Sequence, residues 1–141
     1  MKVSVVLIVF NEKRYIKKCI DALVRQTFWD FEIIVIDNGS TDGTGEIINS
    51  YRNARINYFV ENSRCGLSNL RNIGIERSEG EYVFFTDGDC IPNKYWLEEG
   101  VRTLQDRKYI GVEGKTYYES AKTTISNVVM ESYKGYYLTC N

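Results

Sequence analysis

The sequence predicts an α/β domain built on a mostly parallel sheet with helices on both faces. Three observations predict it. Short apolar runs rich in β-branched residues recur along the chain, amphipathic stretches of helical period separate them, and polar turn residues close them. Alternation at this spacing implies right-handed crossovers, and ligands bind such sheets at the carboxyl ends of the strands.

The first run, Val3 to Phe10, is almost unbroken in apolar character, as in a central strand covered on both faces. After Asn11-Glu12 the period changes. Ile16, Cys19, Ile20, Leu23 and Val24 fall at helical spacing, with Lys13, Arg14, Lys17, Lys18 and Asp21 between them. Phe31 to Ile36 is a second buried strand, ended by the turn and cap residues Asp37 to Gly43, and a helix with Ile47, Ile48 and Tyr51 follows. A strand at Ile56 to Val60 and a polar loop from Asn62 to Gly66 lead to a helix opening near Ser68, with Leu70, Ile73 and Gly74 on one side. Glu81 to Phe85 makes the next strand. Pro92-Asn93 then starts a helix containing Trp96, Leu97, Val101 and Leu104. Tyr109 to Tyr118 reads as a further strand, and Ile125, Val128, Val129, Tyr133, Tyr136 and Tyr137 form one helical stripe, either core or a binding face. Thr139-Cys140-Asn141 carries no cap, turn or charged tail, and so reads as a fragment boundary.

Composition narrows the classes. A chain of 141 residues is one domain by size and can bury a core without staples. Hydrophobic residues are 43% and charged residues 26%, the mixture of a folded chain rather than a disordered one. A formal net charge of −1 provides no whole-molecule field to gather nucleic acid, so any anion must be held locally. Cys19, Cys65, Cys90 and Cys140 lack C-x-x-C spacing and the chain has no histidine. No zinc set is expected, and the thiols read as reduced, mostly buried groups of a cytoplasmic protein. The opening apolar run falls short of the ~20 residues of a membrane helix and reads as neither signal peptide nor anchor.

Three strand ends carry carboxylate or amide groups: Asn11-Glu12, Asp37-Asn38, and Asp87 with Asp89. A parallel sheet brings them to one edge. Across the glycine turn Asp87-Gly88-Asp89, one carboxylate can face a cleft while the other reaches a neighbouring point on the rim, and Gly88 omits a side chain that would block a bound nucleotide. Mg²⁺ and Mn²⁺ accept few protein carboxylates, with phosphate oxygens and water completing an octahedron. Asp87 and Asp89 suit that role, and Arg71 is the nearest cationic candidate to assist. Each residue also has an ordinary reading. Asp-Gly turns cap helices routinely, Arg71 fits a surface ion pair equally well, and the lysine-rich face of the first helix fits simple solvation.

Together these residues resemble the inverting family 2 glycosyltransferases of the GT-A fold. The resemblance rests on Val3 to Val6 through Asn11-Glu12, Ile36 to Thr44, Gly66-Leu67-Ser68 with Arg71 to Gly74, Asp87-Gly88-Asp89, and Pro92 with Trp96-Leu97. It implies that Val9, Phe10, Asn11, Glu12, Asp37 and Asn38 cradle the nucleobase and that Arg71 lies near the nucleotide. It implies further that Asp87 contacts ribose and metal beside Gly88, and that Asp89 binds the metal, Mn²⁺ or Mg²⁺, at the diphosphate. Ile8-Val9 stands where the family usually shows Pro-Thr, and Asn38 where a second Asp is common. The donor is thus left open among UDP-, GDP- and dTDP-linked sugars.

The implied role of residues 1–141 is the nucleotide-sugar-binding part of such an enzyme, cut before the acceptor-side half. The catalytic base is then expected beyond Asn141, Glu113 and Glu119 being the acidic residues near the acceptor side. The acceptor, a sugar, lipid or protein, is unspecified. A longer protein would be cytoplasmic, with association at the inner membrane face as a further expectation. Three rival readings remain at this point: a nucleotide-binding module without catalysis, a phospho-acceptor domain, and a nucleotidyltransferase. The last needs a glycine-rich loop that Phe10 to Arg14 lacks.

Overall fold

The computed structural model describes residues 2–63, 65–106, 108–116 and 138–140. β1 (Val3–Val9) and β2 (Phe31–Asp37) are buried along their whole length, which is why neither shows polar alternation. With β3 (Ile56–Val60) and β4 (Tyr82–Asp87) they form one sheet in the order β3-β2-β1-β4, every neighbouring pair parallel. Helices α1 (Ile16–Val24), α2 (Thr44–Ser50), α3 (Leu67–Glu76) and α4 (Trp96–Leu104) lie between and after these strands.

Alternate residues of each central strand serve the two faces. Val3, Val5, Leu7 and Val9 pack with Phe31, Ile33 and Val35 against α1, α2 and α4, through Ile20, Ile48 and Leu97 among others. Val6 and Ile8 pack with Ile34 and Ile36 against Leu70 of α3 on the opposite face. Helices therefore cover both faces, as the sequence predicts. Phe84 of β4 and Trp96 of α4 meet edge to face with ring centroids 5.2 Å apart, which fixes α4 beside the outer strand.

Some expectations need correction. Pro92-Asn93 does not begin α4; the helix starts at Trp96. Asn93 Oδ1 instead accepts the Tyr95 N–H at 3.0 Å in a turn, and the N–H of Leu97 is taken by Gln26 Oε1 at 3.0 Å from the loop after α1. α3 opens at Leu67, next to Ser68 as expected, after Gly66 and with no side-chain cap. The strand expected at Tyr109 to Tyr118 is described only as β5 (Gly114–Thr116). It pairs in parallel with β6 (Leu138–Cys140) in a separate two-stranded sheet. Tyr109 instead closes a turn by donating its N–H to the Asp106 carbonyl, and Ile110 is fully exposed. The helical stripe from Ile125 to Tyr137 and Glu119 lie outside the described residues. Of the thiols expected to be mostly buried, Cys19 is buried whereas Cys65 and Cys90 are half-buried.

Candidate functional site

Because all four main strands run parallel, Val9, Asp37, Val60 and Asp87 end at one rim. Phe10 leaves the core there and is 47% exposed. Asn11 reverses the chain in the left-handed region (φ 56°), which a short polar side chain tolerates. Its N–H donates to Ser40 Oγ at 2.9 Å, and its Oδ1 accepts the Thr41 N–H at 2.9 Å. Asp42 Oδ2 accepts the Lys13 N–H at 3.0 Å, while its Oδ1 takes both the N–H and the hydroxyl of Thr44 at the start of α2. The loops after β1 and β2 are thus joined in both directions. The Thr44 hydroxyl chiefly holds the Asp42 carboxyl below its ordinary value.

Asp37 is 1% exposed. Its Oδ1 accepts the Ser40 N–H at 2.7 Å and its Oδ2 the Tyr58 hydroxyl at 2.6 Å, so it lies beneath the loop rather than on its surface. Asn38 is half-buried. Its N–H donates to the Val9 carbonyl at 2.9 Å and its Nδ2 to the Cys65 carbonyl at 3.4 Å, while its Oδ1 is buried without a partner among the described residues.

The Asp87-Gly88-Asp89 turn closes against the end of β1. The Gly88 N–H donates to the Ile8 carbonyl at 3.1 Å. A Cβ on Gly88 would lie 3.0 Å from Val9 Cγ1 and 3.0 Å from Glu12 Cγ. Glycine here lets the turn pack closely on Val9 and Glu12, a contact within the protein rather than with a ligand. Asp87 and Asp89 are both exposed. Burial, and then the charges of Asp89, Asp42 and Asp87, raise the Glu12 carboxyl above its ordinary value.

Among the described residues no three acidic or thiol groups close on a point that would cage a metal ion unaided. Two exposed carboxylates completed by phosphate oxygens and water are nonetheless the donor set that Mn²⁺ or Mg²⁺ accepts, and Asp87 and Asp89 fit it. Arg71 is half-buried in α3 and makes no ion pair among the described residues. A groove along the outer edge of β4 is lined by Phe85, Asp87, Cys90, Tyr109, Ile110 and Glu113. Sequence reasoning missed Ser40, Asp42 and Tyr58. The turn run Asp37 to Gly43 marked their neighbourhood, but their partners lie 21 to 29 residues away and become visible only once strand order is known.

The sequence profile of Glycosyl transferase family 2 matches residues 4–139. The chain belongs to that family. Glycosyltransferase AglE of Haloferax volcanii is 42% identical to it over 106 residues, covering 72% of this chain and 35% of AglE. The structure of Staphylococcus aureus TarS with UDP-GlcNAc has a TM-score of 0.74 at 28% identity, over 84% of this chain and 36% of that one. Mannosyltransferase PcManGT from Pyrobaculum calidifontis, solved with GDP-Man and Mn²⁺, has a TM-score of 0.76 at 25% identity, over 82% of this chain and 36% of that one. These neighbours are GT-A glycosyltransferases, and the parallel sheet with helices on both faces is the GT-A fold. The family 2 chain described here spans about a third of the length of these relatives.

Proposed function

We propose that this chain is the donor-binding part of a metal-dependent glycosyltransferase that moves a sugar from a UDP-, GDP- or dTDP-linked donor to an acceptor hydroxyl with inversion. One observation carries the reading. The Asp87-Gly88-Asp89 turn packs directly on Val9 and Glu12, so two exposed carboxylates stand beside the loop that follows β1. TarS solved with UDP-GlcNAc and PcManGT solved with GDP-Man and Mn²⁺ support it by likeness.

In this reading Phe10 offers an aromatic face to the nucleobase, Asn11, Glu12 and Asn38 build the wall around it, and the buried Val9 and Asp37 support that wall from behind. Asp87 and Gly88 meet the ribose. Arg71 supplies a guanidinium for diphosphate oxygens. Asp87 and Asp89 would hold Mn²⁺ or Mg²⁺, which as a Lewis acid neutralises charge on the departing diphosphate, an effect of several kcal/mol. Inversion requires a base within hydrogen-bond reach of the acceptor hydroxyl, and that role is assigned to a carboxylate outside residues 1–141. The proposed setting is the cytoplasm, with association of a longer protein at the inner membrane face. No helix among the described residues is long and apolar enough to cross a membrane.

Calorimetric titration of UDP, GDP and dTDP, with and without Mn²⁺, tests this in the wild type and in Asp89→Ala. Binding that needs Mn²⁺ and disappears in the variant is the expected result, and the nucleotide that binds names the donor class. Binding that ignores both metal and variant removes the metal from the proposal. Binding without turnover of a labelled donor by the longer protein would leave a nucleotide-binding module.

A further inference from the structure

The loop that follows β2 is held from beneath by a side chain outside the proposed donor contacts. The Tyr58 hydroxyl, on β3, donates to Asp37 Oδ2 at 2.6 Å. Asp37 Oδ1 accepts the Ser40 N–H at 2.7 Å, Ser40 Oγ accepts the Asn11 N–H at 2.9 Å, and Asn11 Oδ1 accepts the Thr41 N–H at 2.9 Å. One line of hydrogen bonds thus runs from β3 beneath the second loop to the left-handed residue of the first. Gly45 keeps the line open, because a Cβ there would lie 2.6 Å from the Tyr58 hydroxyl oxygen. Asp37 is buried, so loss of the phenol hydroxyl would leave a carboxylate oxygen without its partner.

Resting on the donor reading above, we infer that Tyr58 is a positioning residue for the donor nucleotide, fixing Asp37 and through it the Ser40–Asn11 contact that sets Phe10, Glu12 and Asn38 in place. A wall ordered before binding spares the nucleotide the cost of ordering it, and affinity rises accordingly. Burial and the Asp37 carboxylate hold the Tyr58 phenol above its ordinary value, so it stays a donor at neutral pH.

The test compares Tyr58→Phe, which removes one hydroxyl and keeps the ring, with Ser4→Ala. Ser4 is buried at the other end of the sheet, where its hydroxyl donates to Glu32 at 2.7 Å and accepts the Gly80 N–H at 2.8 Å. UDP, GDP and dTDP are titrated with Mn²⁺ into the wild type and both variants, with Tm and amide hydrogen exchange measured alongside. Tyr58→Phe is expected to weaken nucleotide binding about tenfold and to speed exchange across residues 38–44, whereas Ser4→Ala lowers Tm and leaves affinity within about twofold. Gly45→Ala, which displaces the phenol without touching it chemically, should repeat the Tyr58→Phe result. A wild type that binds none of the three nucleotides overturns the donor reading and this inference with it. A wild type that binds, with Tyr58→Phe equal to it or with both variants losing affinity in proportion to Tm, overturns the inference alone.

Discussion

Gly74 provides a quantitative test of the packing that carries Arg71. A Cβ at this position would sit 2.3 Å from Val6 Cγ1, 3.0 Å from Cγ2 and 3.2 Å from Cβ. Carbon atoms settle about 3.5–4.0 Å apart, so Gly74→Ala forces α3 away from the sheet by roughly 1 Å or more. Val6 cannot yield, because it is β-branched, fully buried and fixed in the central strand. Overpacking of this kind costs ~1–3 kcal/mol, and alanine returns ~1 kcal/mol through its helix propensity. Taking the upper end for so short an approach, the net loss is about 2 kcal/mol, or roughly 4–8 °C in Tm. Thermal and urea unfolding of the wild type, Gly74→Ala, Val6→Ala and the double variant measure it. The double variant should recover ~0.5–3 kcal/mol relative to the sum of the singles, since the new methyl fills the space the valine vacates. A Gly74→Ala protein as stable as the wild type, or strict additivity in the cycle, refutes the close contact. Nucleotide affinity should fall in Gly74→Ala as well, because the displaced helix carries Arg71.

Two other perturbations address the rim. Gly88→Ala brings a methyl to 3.0 Å from Val9 Cγ1, a tighter approach than the site accommodates at rest. It should lower metal-dependent nucleotide affinity with a Tm change under about 2 °C; calorimetry showing unchanged affinity would remove the turn's position from the argument. The second perturbation is acid. The Asp21 carboxyl is held below its ordinary value chiefly by the Lys17 ammonium and then the Tyr51 hydroxyl, and Asp42 chiefly by the Thr44 hydroxyl. A folded-state pKa below the unfolded one gives stability that is complete above the ordinary value of 3.8 and lost as pH falls through the lower folded value. Glu12 has the opposite sign, its contribution being complete below 4.5 and lost as pH rises through its raised folded value. Below pH 3.8 the Tm of the wild type should therefore fall more steeply than that of Asp42→Asn. Parallel slopes would show that the bonds of Asp42 to Lys13 and Thr44 contribute nothing to stability.

Periodicity sufficed for the sheet because Val3 to Val9 and Phe31 to Ile36 are buried on both faces, which leaves few local alternatives. It sufficed for α1 because Ile16, Cys19, Ile20 and Leu23 mark one stripe that the fold buries. It failed where long-range partners set the outcome. Pro92-Asn93 has the composition of a helix start, but the N–H of Leu97 is satisfied by Gln26, 71 residues earlier. Tyr109 to Val112 has apolar content, but the Asp106–Tyr109 turn draws it away from strand geometry. At the site, the acidic pair and the polar strand ends were legible as residue types. That Asp37 points inward to Tyr58 was not, since an Asp in a turn run carries no mark of which side of the loop its carboxylate occupies.

The two ends of the sheet differ in how far their polar groups are satisfied within the protein. At the amino end Glu32, 5% exposed, accepts from the Ser4 hydroxyl, the Glu79 N–H and Asn57 Nδ2, while Ser4 Oγ accepts the Gly80 N–H. The bonding capacity there is used up inside the protein, as buried polar groups require. The carboxyl rim begins in the same way, with Asp37 saturated by Tyr58 and Ser40, and then leaves groups over. Among the described residues Asn38 Oδ1 is buried without a partner, Asp87 and Asp89 are exposed, and Arg71 has no acidic partner. An amide, two carboxylates and a guanidinium are the groups that the donor reading proposed above assigns to base, hard cation and phosphate. Asp87 and Asp89 stand at this rim because β4 runs parallel to β1; reversing that strand would move them to the end where Glu32 already has its partners.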